Sequence, residues 1–94
     1  MPKMKPPSCR NVFIDLGFPP HEAEVMLLRA QAAEALRRWM ERENLTQARA
    51  AKRLGVSQRR ISEIVRGRVE FSSLDYLLAL CAKAGLRVSV HLAA

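Results

Sequence analysis

The chain has 94 residues, 49% of them apolar and 27% charged, which suits one domain with a modest core. This composition excludes a mostly disordered chain, and the longest apolar runs are far too short to cross a membrane. Two cysteines are too few for a disulfide framework, and no apolar run follows the basic start, so we expect a cytoplasmic protein without a secretory signal.

The net charge of +7 is concentrated in one stretch of the chain. Residues 46–68 contain seven basic residues against Glu63 alone, which gives this segment a net charge of +6. A basic block inside a folded segment is typical of a nucleic-acid-binding face. The simpler explanation is a solvated helix face, but basic and acidic groups usually alternate on such a face, and here they do not.

The chain begins with two segments of different character. Residues 1–10 are basic, contain three prolines and show no apolar periodicity, so they predict a flexible arm. Residues 11–94 predict a single domain. Its first part, the apolar segment 11–18 with sequence NVFIDLGF, is expected to dock onto the domain as a turn or a short extended piece.

A long helix is predicted for residues 20–43, with a possible bend or break near residues 29–31. Pro20 suits a first helical turn, and strong helix formers dominate the segment that follows. Apolar residues at three- and four-residue steps form one stripe along it. The stripe consists of Met26, Ala30, Ala33, Leu36 and Met40. Trp39 flanks this stripe and is expected to be a core anchor.

Two short helices are predicted next. Thr46 would cap the first, Gln47–Leu54, and Gly55 would end it with a left-handed residue. Ser57 would cap the second, Gln58–Arg66. Both have an inward apolar side, made by Ala50, Ala51, Leu54, Ile61, Ile64 and Val65, with Val56 filling the turn between them. The first helix would brace the second, whose N-terminal end could then enter a DNA major groove.

A leucine-rich helix is predicted after these two, capped by either Ser72 or Ser73 and ended by Gly85. Cys81, on its apolar side, is expected to be a small core residue.

Residues 86–92 alternate apolar and polar side chains, which predicts a half-buried β-strand. A strand needs a partner for its backbone groups. It could pair with residues 12–16 of the same chain or with its own copy across a two-fold axis. The second arrangement would build a homodimer, with Val88, Val90 and Leu92 as the dimerisation residues.

Residues 46–68, TQARAAKRLGVSQRRISEIVRGR, resemble the helix-turn-helix of the lambda-repressor-like (Xre) family. That family has a T-Q pair, a central G-[VI]-S-Q, and an apolar residue before a serine. The matching residues are Thr46, Gln47, Gly55, Val56, Ser57, Gln58, Ile61 and Ser62. With the flanking segments, residues 11–92 resemble HigA-type antitoxins and Xre-type regulators. The resemblance implies an all-α lambda-repressor-like domain of four to five helices, with its helix-turn-helix at 46–66 and a short C-terminal strand used in dimerisation.

The resemblance also implies which residues contact DNA. Those expected to read bases are Gln58, Arg59, Glu63 and, nearby, Arg60. Phosphate binding is expected from position and charge: Gln47 and Ser57 lie at predicted helix starts, and Arg66 and Arg68 follow the second short helix. Helical geometry supports the assignment, because positions 58, 59, 62, 63 and 66 lie opposite the apolar side. Gln can pair with adenine and Arg with guanine. Glu63 would either accept from cytosine or orient Arg59 or Arg60, and the sequence does not decide between these roles.

The function implied is a bacterial, nucleoid-associated repressor that binds a two-fold double-stranded DNA site as a homodimer. One form is an antitoxin that also neutralises a HigB/RelE-like toxin and represses its own operon. The toxin contact would be the basic arm, segment 11–18 or the outer face of the long helix. The alternative is a stand-alone regulator. RNA binding is a weaker option, because aromatic residues do not interleave the basic block.

Neither catalysis nor a cofactor is expected. The sequence has no phosphate-binding Gly-rich loop and no spacing that pairs a nucleophile with a base. Cys9, His21, Cys81 and His91 could in principle gather one metal ion, but no two of them have ligand-like local spacing.

Overall fold

A computed structural model of the protein describes residues 11–93, so the predicted basic arm, residues 1–10, lies outside the described residues. The described chain is all-α, as expected. Its helices are α1 (Val12–Asp15), α2 (Pro20–Arg42), α3 (Gln47–Leu54), α4 (Gln58–Val65) and α5 (Leu74–Lys83), with a 3-10 turn at Val69–Phe71 between α4 and α5. The core lies where α2 packs against α5, α4 and the 3-10 turn.

Segment 11–18 forms a single helical turn, α1, and not an extended piece. Asn11 caps it, since its Oδ1 accepts a hydrogen bond from the Phe13 backbone N–H at 3.0 Å. The rings of Phe13 and Phe18 pack edge to face with centroids 5.7 Å apart. Both rings rest against the core.

Helix α2 runs unbroken from Pro20 to Arg42, so the break that was the alternative near residues 29–31 does not occur. Four residues of the predicted stripe are buried in the core, whereas Ala30 is only half-buried, and Trp39 is buried as anticipated. Asn44 adopts a left-handed conformation (φ 54°) after the helix. The chain can therefore turn sharply into α3.

The two short helices meet as the sequence predicts. Thr46 and Ser57 cap α3 and α4, and Gly55 ends α3 in a left-handed conformation (φ 72°). Ala51, Leu54 and Ile61 are buried, and Val56 packs against the same core. This arrangement is a helix-turn-helix with α4 as its second helix.

Helix α5 begins after Ser73, which resolves the choice between the two serines. The Ser73 hydroxyl accepts from the Tyr76 backbone N–H at 3.3 Å, whereas Ser72 is buried. Cys81 is buried on the inward side of α5, and burial raises the pKa of its thiol.

The expected C-terminal strand, residues 86–92, is not formed within residues 11–93. Its proposed partner within the chain, residues 12–16, is occupied by helix α1, so no extended edge is available there. The segment instead leaves α5 along the groove between α2 and α5, with Leu86 packed on the core. Val88, Val90 and Leu92 are exposed.

Candidate nucleic-acid interface

Helix α4 presents one polar face to solvent and anchors the opposite face in the core. Ile61 and Ile64 are buried, which fixes the rotation of the helix about its axis. Gln58 and Arg59 lie in its first turn and are exposed, with 90% of the Arg59 side chain accessible. Two side chains that suit base-edge recognition therefore project from the N-terminal end of α4.

Glu63 lies one turn further along α4, between the two arginines of the first turn. Its carboxylate is 3.9 Å from Arg59 Nε and 3.7 Å from Arg60 Nη1, and only 23% of its side chain is exposed. Of the two roles left open by the sequence, this position favours orienting the arginines, because the carboxylate faces their guanidinium groups.

Arg60 is drawn away from the open face of α4 by contacts with a later part of the chain. Its Nη1 donates to the Phe71 carbonyl oxygen at 2.9 Å, and its guanidinium carbon lies 5.1 Å from the centre of the Tyr76 ring. The side chain is 38% exposed. These contacts tie the first turn of α4 to the 3-10 turn and α5.

Two of the expected phosphate-binding residues lie at helix starts. Ser57 Oγ accepts from the Arg60 backbone N–H at 3.2 Å, so this hydroxyl is already used as a cap. The first backbone N–H groups of α4 remain available to an anion, as at any helix N-terminus. Gln47 begins α3, half-buried and close to Val65 at the far end of α4.

The other two expected phosphate-binding residues follow α4. Arg66 and Arg68 flank the turn at Gly67, and both are exposed. Among residues 11–93, neither forms an ion pair. No carboxylate of the described residues therefore neutralises either guanidinium group, and both can contact a phosphate.

Other arginines are engaged within the fold. Arg53 lies over the Trp39 ring at 5.5 Å and approaches Glu43 at 3.7 Å, so it is directed towards α2. On α2, Glu34 accepts from Arg37 and from Arg38, the latter at 3.1 Å. These bonds lower the pKa of the Glu34 carboxyl and raise that of the Arg37 guanidinium. Ion pairing thus offsets charge on α2, while the turn after α4 stays positive.

Phe71 and Tyr76 have contacts near α4 that the sequence does not predict. Phe71 is exposed beside Ser57, Arg59 and Arg60, and Tyr76 receives the Arg60 cation. Helical periodicity could not reveal these contacts, since Phe71 and Tyr76 lie eleven and sixteen positions after Arg60 in the chain.

The described residues contain neither a membrane-spanning helix nor a metal-ligand cluster. No helix in this part of the chain has the length and apolar character needed to cross a membrane. Within residues 11–93, no three His, Cys, Asp or Glu side chains come together as a metal site would require.

Comparison with known proteins places the chain in a family. The family described as "Helix-turn-helix domain" matches residues 12–93, from α1 through the C-terminal segment. Comparisons with curated proteins and with solved structures found no match. The family match supports a helix-turn-helix of the lambda-repressor-like kind, in agreement with the geometry of α3 and α4. The chain belongs to this helix-turn-helix domain family.

Proposed function

We propose that the protein is a sequence-specific repressor that binds double-stranded DNA through α4 and represses its own operon. The observation that carries this proposal is the exposed first turn of α4, where Gln58 and Arg59 project from a helix anchored by buried isoleucines. Arg66 and Arg68, which form no ion pair with the described residues, lie on the following turn and would hold the phosphate backbone.

The proposal assigns different roles to the arginines of α4. Arg59 reads a base, guanine being its preferred partner, and Glu63 orients it. Arg60 holds α4 against the 3-10 turn. It affects base recognition by positioning α4 and does not itself contact a base.

Replacing Arg59 tests the base-reading face. DNA upstream of the protein's own reading frame is footprinted, and the protected duplex is then used for titration. Arg59→Ala is expected to weaken binding by about 1–3 kcal/mol and to relax preference at one base pair of each half-site. Arg38→Ala is the matched control, since it removes an arginine that is paired to Glu34 on α2. Unchanged affinity and base preference in Arg59→Ala would contradict the assignment.

The dimer belongs to the same proposal. Residues 87–93 make no backbone hydrogen bond within the described chain, and three apolar side chains of this segment are exposed. Pairing with the same segment of a second copy would satisfy these groups and bury Val88, Val90 and Leu92. It would also supply two α4 helices for half-sites about 34 Å apart.

We further propose that the protein is the antitoxin of a toxin–antitoxin pair. Val12 and Ile14 of α1, and Leu16 directly after it, each have an exposed apolar side chain. Next to it, a depression of about 790 Å³ lies between α1 and α2, with Arg38 at its margin. Exposed apolar patches of this kind mark protein contacts. A small mRNA-cleaving toxin of the HigB/RelE-like kind is the proposed occupant.

Growth in cells tests the antitoxin role. The small reading frame beside this one is expressed alone and then together with this chain. Arrest alone and recovery together are the expected results. The double variant Ile14→Asn, Leu16→Asn should fail to rescue while keeping DNA affinity, whereas Arg59→Ala should rescue normally. Absence of arrest, or arrest that the wild-type chain does not relieve, would favour the stand-alone regulator.

A further inference from the structure

Phe71 is an exposed aromatic residue at the edge of the α4 surface. It ends the 3-10 turn Val69–Phe71, and 54% of it is accessible to solvent. Val69 supplies the inward contact of that turn and is buried. Within residues 11–93, the other exposed large apolar residues all lie at positions 12–25 or 88–92, far along the chain from the helix-turn-helix.

The position of Phe71 relative to α4 is fixed by a hydrogen bond. Arg60 Nη1 donates to the Phe71 carbonyl oxygen at 2.9 Å, and the Arg60 guanidinium also lies over the Tyr76 ring. This bond places residue 71 beside the first turn of α4, which is the end that would enter a major groove in the proposed complex.

Phe71 shares a shallow depression with polar groups of α4. The depression has a volume of about 300 Å³ and is lined by Ser57, Arg59, Arg60, Glu63 and Phe71. Its single apolar side chain therefore lies among a helix N-cap, two arginines and a carboxylate. The arginines of this depression suit a ligand with a negatively charged surface, and the exposed ring suits an apolar group on the same ligand.

Double-stranded DNA has such a group in its major groove, the C5-methyl of thymine, which apolar side chains recognise. We propose that Phe71 packs on a thymine methyl next to the base read by Arg59 and so specifies an A·T pair in each half-site. This inference rests on the proposed DNA binding. It adds a specificity residue from outside the two helices of the helix-turn-helix.

The test removes the methyl group and the ring separately and together. Each thymine of the footprinted duplex is replaced in turn by deoxyuridine, which lacks the C5-methyl, and affinities are measured for the wild type and for Phe71→Ala. Wild-type affinity should fall about fourfold at one position per half-site, as expected for a buried methyl worth about 0.8 kcal/mol. Phe71→Ala should bind the thymine duplex more weakly and show no further loss at that position.

Two controls make the result interpretable. Val25→Ala shortens another exposed apolar side chain, at the start of α2, and should retain the wild-type response to deoxyuridine. Phe71→Leu keeps an apolar contact and should respond less than the wild type but more than Phe71→Ala. Circular dichroism checks that each variant is folded.

The outcomes separate this inference from the function on which it rests. If the wild type binds the operator but responds identically to Phe71→Ala at every deoxyuridine position, the thymine contact is wrong and DNA binding stands. Phe71→Ala could also bind more weakly while losing as much affinity as the wild type at every deoxyuridine position. That result overturns the methyl contact too, because the ring would then pack on another part of the DNA, such as a deoxyribose. If the wild-type chain binds no duplex specifically, the proposed function and this inference fail together.

Discussion

Arg68 and Arg38 are both exposed arginines in the same chain, yet their electrostatic settings differ. Arg38 Nε lies 3.1 Å from a Glu34 carboxylate oxygen, whereas Arg68 has no ionic partner among the described residues. An unpaired arginine can neutralise a phosphate and release a counterion, and this release appears as salt dependence of binding. The two residues therefore form a natural comparison for the phosphate-binding assignment.

We expect Arg68→Ala to weaken binding to all duplexes by a similar factor. The slope of log K against log salt concentration should become shallower by about one unit, because one phosphate contact is lost. The measurement is a titration of specific and scrambled duplexes at several salt concentrations. Arg38→Ala changes the net charge equally and should leave the slope unaltered. A change in base preference, or an unchanged slope, in Arg68→Ala would rule out the phosphate role.

At the scale of elements, the sequence predicts a helix start correctly where the capping side chain and the N–H group that it accepts from are close in the chain. Thr46 and Ser57 cap α3 and α4 at the predicted positions, because the hydroxyl of each reaches an N–H group only three residues away. Ser72 and Ser73 could not be separated from sequence, since both have the right chemistry. The choice follows from tertiary packing, which buries Ser72. Ser73 then also lowers the pKa of the Asp75 carboxyl by a hydrogen bond.

Elements that depend on distant partners were predicted less completely. Segment 11–18 is long enough for one turn only, and its helical form depends on the Asn11 cap and on the packing of Phe13 and Phe18 against the core. Similarly, the predicted base-reading role of Arg60 came from its place on α4. Its bond to Phe71, eleven residues away, could not be read from helical periodicity.

At the scale of the whole molecule, the proposed dimer depends on how the C-terminal segment is paired. The alternating pattern of residues 86–92 indicates a half-buried strand, but alternation does not say which strand is the partner. Within residues 11–93 the segment has no strand partner, and it leaves apolar side chains exposed along the α2–α5 groove. A second copy would supply the missing backbone partners and would give the two-fold symmetry that paired half-sites require.

We therefore expect deletion of residues 88–94 to convert the protein from a dimer to a monomer and to weaken operator binding strongly. Leu86 is retained in this variant, so its contact with the core and its hydrogen bond to the Cys81 carbonyl at 2.9 Å are preserved. Sedimentation equilibrium measures the mass, and circular dichroism checks the fold. Val90→Asn should weaken the dimer, whereas Ser89→Asn, whose side chain would project from the other face of a strand, should not. A wild-type monomer, or a dimer that survives the deletion, would show that the copies do not associate through this segment.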